Sequence, residues 1–354
     1  MNFNTIKTKR LNFLFLGMIL ICSSLANSNP INIKTNCKIE PDICYRTEES
    51  ETTIDLYIIN KSLTIITLDL DFHANNLEKI YLQKSTDTIE KKSEKLIARY
   101  AIGNTSSWSY SFKYFSQPGD FNSSHNDSHT YQLPFKKDTE FTLTQSFNGE
   151  FSHVTEHNQY ALDFAMPIGT EILAARSGKV IKVISHYTTS GTTLDYLDKA
   201  NKVMIEHDDG TIAAYVHLKY LGSYVLPGDL IKVGDIIGLS GNTGYSTGPH
   251  LHFSIQSPIT GKKSQSFPFV FETSNGVISD PIAGLKYKSA NIPIINEAEN
   301  SNQTESDINQ ISSGSASGGS SGGSMNFLFS IALLLLIRKR KNSSIFIFHI
   351  LHIK

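Results

Sequence analysis

Through the middle of the chain, apolar and polar positions alternate with the period of two that a half-buried strand requires. "TTIDLYIINKSLTIITLDLDF" at 52–72 alternates β-branched with polar residues, and "SWSYSFKYF" at 107–115 does so with aromatics. No long stretch shows helical periodicity. The pattern predicts an all-β chain, with a β-sandwich of the immunoglobulin-like kind over 27–133. A compact antiparallel β domain is expected over 134–290. There "YALDFAMPIGTEILAARSGKVIKVIS" predicts a strand ending near Phe164, a turn at Pro167 and Gly169, and further strands broken at Gly178. "NKVMIEHDDGTIAAYVHL" predicts a hairpin turning at Asp208, Asp209 and Gly210. Alternation in its second strand would put Tyr215 and His217 on one face and Val216 on the other. Just downstream, "HLHFSI" reads as a strand with His250 and His252 on one face, Leu251 and Phe253 on the other.

Both ends depart from this pattern. Lys7, Lys9 and Arg10 precede the apolar run "LNFLFLGMILI", and small residues stand at Ser24 and Ala26. This is the three-part layout of a secretory signal peptide over 1–26. A polar Gly/Ser-rich linker is expected over 291–324. A short apolar helix and basic tail follow over 325–354, with "RKRK" at Arg338 to Lys341. About thirteen apolar residues make a helix of roughly 20 Å, a marginal span for a hydrocarbon core of roughly 30 Å. The order of linker, apolar helix and basic cluster resembles the GlyGly-CTERM sorting tails of Gram-negative exported proteins, although "NSSIFIFHILHIK" continues past the cluster. These addresses imply an exported protein of the periplasm or cell surface, anchored at the envelope by its tail or released after processing.

Composition narrows the chemistry. A formal net charge of −1 gives no electrostatic attraction to nucleic acid. Beyond the signal only Cys37 and Cys44 remain, a pair able to close a small disulfide loop or to stay as two thiols. Any metal must therefore be held by His and carboxylate. "HNDSH" at 125–129 reads as a polar loop, and the glycines at 241, 244 and 248 lack the Lys and helix of a phosphate-binding loop.

The segments "YALDFAMPIGTEILAARSGKVIKV", "VMIEHDDGTIAAYVHL" and "VGDIIGLSGNTGYSTGPHLHF" together resemble the LytM/lysostaphin-type zinc metallopeptidases, the duplicated hybrid motif peptidases. The resemblance covers residues 138–287, and a fragment of that extent is expected to fold alone. It implies a groove across a β-sheet, one Zn2+ per chain, and hydrolysis of peptidoglycan peptides by a monomer. "HLHF" carries over His252 as a zinc ligand and His250 as a catalytic histidine. "YVHL" gives His217 as the second catalytic histidine, and "LDF" gives Asp163 as a ligand. The last ligand is usually a histidine four residues before that Asp, where this chain has Gln159. "FSHVTEHNQYALDF" resembles a longer-insert version, which points to His153, with His157 as the competitor. Tyr215 and Asn201 are candidates for the groove, or for core packing and strand-end hydrogen bonding. A non-catalytic wall-binding protein, an activator of another hydrolase, and a zinc endopeptidase acting on exported proteins are the alternative functions.

Overall fold

The computed structural model describes residues 31–290 apart from 41 and 105–106, with 38–40 described by their backbone alone. The signal, linker and tail readings lie outside the described residues. Within them the chain forms 24 strands and one turn of 3-10 helix, and no helix is long and apolar enough to cross a membrane.

Two large hydrophobic cores organise these strands. In the first, a five-stranded antiparallel sheet runs in the order Asn32–Glu40, Ile43–Glu49, Thr53–Asn60, Ser93–Ile102, Leu77–Leu82. A three-stranded sheet of Thr86–Ile89, Ile66–Asn75 and Ser109–Pro118 shares its core, where Leu56 and Ile58 meet Ile66, Leu68 and Ile89. Cys37 and Cys44 are joined by a disulfide across the first hairpin, with Cα atoms 4.2 Å apart.

The second core lies under a nine-stranded sheet. Its central strands are Gly178–Ile184, Lys202–Glu206, Ile212–Val216, His250–Pro258, Leu162–Ala165 and Glu140–Gln145, in that spatial order. Period-two alternation sends Val203, Ile205, Ala213, Tyr215, Leu251, Phe253 and Ile255 down into the core. The other face carries Lys202, Met204, Ala214, Val216 and His252, and it floors a cleft. Tyr131, Leu133 and Phe135, which precede residue 138, are fully buried in this same core. Thr130–Gln132 pairs in parallel with Val270–Thr273, so a fragment over 138–287 would lack this strand and these core residues.

The two units are docked. Lys262 N donates to Asp69 Oδ2 at 3.1 Å, its Nζ pairs with Asp71 at 2.9 Å, and Thr64 bonds Glu206. Gly261 sits so close to the backbone of Leu68, Asp69 and Phe115 that a Cβ would fall 2.2 Å from Asp69 N. Only glycine fits that approach.

The 208–210 turn predicted from sequence is tied down by Arg176, whose guanidinium bonds Tyr131 Oη at 3.0 Å, Asp209 at 2.7 Å, and Asp208. Beside it His207 is buried, with Nδ1–H donating to the Ser177 carbonyl at 2.9 Å and Nε2 without a partner. Burial pushes the His207 pKa down to about 4. A histidine held neutral in the fold destabilises it wherever the unfolded chain binds the extra proton, below the unfolded value of about 6.5. Stability should therefore fall from pH 7 towards pH 4, and by about 2 kcal/mol at pH 5 from this residue. Thermal melts from pH 7.5 to 4.5 should show a shallower slope for His207→Gln than for the unaltered chain. Equal slopes would remove His207 as the cause.

Candidate active site

One register row of the sheet builds the centre. Gln145, Asp163, His252, Val216 and Lys202 stand opposite one another on five successive strands. Directly opposed residues on one face have Cβ atoms roughly 5 Å apart, so Asp163 and His252 meet without any loop rearrangement. His252 Nδ1 lies 2.9 Å from Asp163 Oδ1.

His153 reaches the same carboxylate from outside the sheet, out of the turn-rich segment before Leu162. Its backbone N–H bonds the Gly149 carbonyl at 3.0 Å, and its Nδ1 lies 2.8 Å from the Ser146 carbonyl oxygen. A carbonyl only accepts, so Nδ1 carries the proton and Nε2 presents its lone pair. That Nε2 is 3.3 Å from Asp163 Oδ1, fully buried, and has no hydrogen-bond partner. An orphaned buried polar atom costs about 1–3 kcal/mol, which a bound cation would relieve. Ligand atoms of His153, Asp163 and His252 all lie within 4.8 Å of one another, and the three are the one such group among the described residues that could hold a metal ion. Burial works against ionising Asp163, but hydrogen bonding at its carboxylate, with His252 Nδ1 beside it, outweighs burial and holds its pKa well below the carboxylate range.

The residues with competing claims sit elsewhere. His157 is exposed at the cleft rim, with Nδ1 2.6 Å from Ser264 Oγ. Gln159, four before Asp163, donates to Asn148 Oδ1 at 2.9 Å. Gln145, which nothing in the sequence singled out, orients the centre. Its Nε2 donates to Asp163 Oδ2 at 2.8 Å, while its Oε1 accepts from the backbone of Phe151 and Ser152 at 3.0 and 3.1 Å. One amide thus couples the carboxylate to the turn that delivers His153.

His217 departs from its sequence pattern. Tyr215 is wholly buried and accepts the Ala175 N–H at 2.8 Å, while Val216 lines the cleft, so these two stand on opposite faces as alternation predicts. His217 nonetheless lines the cleft because its backbone takes φ 66°, a left-handed conformation that breaks the alternation just past the strand end. Its Nδ1–H donates to the Thr243 carbonyl at 2.7 Å. Thr243 in turn donates its hydroxyl to the Leu218 carbonyl at 2.9 Å and accepts the Asn201 N–H at 3.0 Å. Asn201 is buried and makes strand-end hydrogen bonds to Tyr187 and Leu218, so it supports this corner without lining the groove. His250 Nδ1–H donates to the Gly248 carbonyl at 2.8 Å. Both rings are thus anchored at Nδ1 and direct Nε2 away from their anchors, with centroids 4.5 Å apart. Burial, followed by the neighbouring His250 and His252, lowers the His217 pKa to about 3. It is neutral at neutral pH.

A cleft of about 1380 Å³ opens over these groups. Asp163, His217, His250 and His252 line it from the second unit, and Asp42, Ser62, Thr64 and Gln117 line it from the first. The N-terminal unit is thus one wall of the site.

Residues 157–266 match peptidase family M23. The matched segment contains Asp163, His217, His250 and His252 but begins after His153. Among similar proteins, an uncharacterized metalloprotease of Buchnera aphidicola subsp. Baizongia pistaciae is 38% identical over 127 residues, covering 35% of this chain and 30% of that one. The glycyl-glycine endopeptidase ALE-1 of Staphylococcus capitis is 35% identical over 130 residues, 36% of this chain and 29% of its own. The peptidoglycan DD-endopeptidase ShyA of Vibrio cholerae is 32% identical over 150 residues, 40% of this chain and 31% of its own. The chain thus spans about three-tenths of the length of the curated relatives it matches.

Proposed function

From the M23 metallopeptidase domain that the chain carries, we infer a zinc-dependent endopeptidase that hydrolyses peptide crosslinks of peptidoglycan. The observation that carries this reading is the buried group His153, Asp163 and His252, with its orphaned imidazole nitrogen, of which Asp163 and His252 line the cleft. Two imidazoles and a carboxylate suit zinc, which in hydrolytic sites takes three protein ligands and keeps one position open. When bound, the ion supplies Lewis acidity, bringing a water's pKa to about 7 and polarising the scissile carbonyl.

The chain's own residues do the remaining work. His153 Nε2, His252 Nδ1 and Asp163 would hold the ion, and Gln145 keeps the carboxylate turned towards it. The sequence has no HExxH motif, so proton transfer falls to His217 and His250. A neutral imidazole whose Nδ1–H is fixed to a carbonyl takes the attacking water's proton at Nε2. The resulting imidazolium returns a proton to the leaving amine. The second ring, protonated at Nε2, would donate to the tetrahedral oxyanion. An export signal and an envelope-held tail belong to the same reading, since they would deliver the enzyme to the wall.

The test uses purified full-length protein and intact peptidoglycan sacculi. One zinc per chain and release of soluble peptides are expected, with release abolished by a chelator and restored by zinc. Binding to sacculi without release would make the protein a wall binder or hydrolase activator. Cleavage of exported proteins but not sacculi would make it a proteinase.

A further inference from the structure

The cleft floor carries positive charge that the reaction does not use. Lys202 stands in the same register row as His252 and Asp163, two strands from His252 through Val216. Two strand spacings are roughly 10 Å, or about three residues of extended peptide. Lys182 is opposite Met204 on the next strand out, and both lysines line the cleft. Neither forms an ion pair with a carboxylate among the described residues. Lys262, also in the cleft, is by contrast engaged by Asp71. Met204 on its own strand and Val216 opposite share the face of Lys202, so an ammonium there is poorly solvated. Burial, then Lys182, lowers the Lys202 pKa to about 8. An arriving carboxylate would reverse both effects and accept a charge-assisted hydrogen bond.

We propose that Lys202, with Lys182 beside it, forms a carboxylate-binding subsite that selects acidic peptides for the catalytic centre. This rests on the peptidase reading above. It also divides the substrates that reading allows, because a bridge built of glycine presents no side-chain carboxylate to this subsite.

The test compares crosslinked peptidoglycan peptides in two forms, untreated and with their free carboxyl groups amidated. The full-length protein should cleave the untreated form with a kcat/KM about tenfold higher, the difference falling in KM. In Lys202→Met that ratio should collapse towards one, and Lys202→Arg should restore it. Binding measured by calorimetry on His250→Ala, which needs no turnover, should show the same tenfold difference in Kd. Lys202→Met in that background should erase it. Equal or absent binding of the two forms, or a preference that survives in Lys202→Met, overturns the subsite. If carboxylate-dependent binding is seen without any cleavage by the unaltered protein, the subsite stands and the peptidase reading falls.

Discussion

Replacing His153 by alanine should strip the metal and reduce peptidase activity by a factor on the order of 10³ or more, whereas His157→Ala should keep both. His153 is fully buried, its Nδ1 is tied to the Ser146 carbonyl, and its Nε2 faces Asp163 with no other partner. His157 is exposed and spends its Nδ1 on Ser264. The size of the effect follows from the several kcal/mol that a catalytic ion contributes, at about 1.36 kcal/mol per decade of rate. Metal content by mass spectrometry, read beside the rate on sacculi, decides the matter. Metal retained in His153→Ala but lost in His157→Ala would exchange the two assignments.

Removing His250, or replacing His217 by asparagine, should lower turnover by about 10²-fold or more while zinc stays bound. Neither residue belongs to the His153, Asp163, His252 group, yet both rings stand over it, each anchored at Nδ1 by a backbone carbonyl. Asparagine is the cleaner substitution at 217, because it tolerates the left-handed backbone that alanine would strain. The effect should appear mainly in kcat, as the proton transfers belong to the transition state. Near-normal turnover in either variant would remove that residue from the mechanism, and loss of zinc would make it a ligand instead.

Much of this site was legible because strand alternation is a local rule. "HLHF" needs only a pleated backbone to put His250 and His252 over one groove, and "LDF" needs only the neighbouring strand to bring Asp163 opposite. The all-β class followed from the same periodicity. His217 was reached by resemblance and not by alternation, which would have buried it with Tyr215; one positive φ at a strand end carries no periodic signal.

What the sequence determined by itself is therefore what repeats along it: strands, their apolar faces, and the histidine pair. Tertiary structure decided what depends on contacts between distant segments. His153, and not His157, stands beside Asp163 because a turn anchored by Gln145 and Ser146 directs one ring inward and leaves the other at the rim. Tyr131 and Leu133 join the second core because Thr130–Gln132 pairs with a strand some 140 residues later. The first unit becomes a wall of the cleft because Gly261 and Lys262 dock against the Ile66–Asn75 strand. Lys202 enters the cleft through a register shared across three strands, and register is set by packing of whole faces, which no single strand encodes.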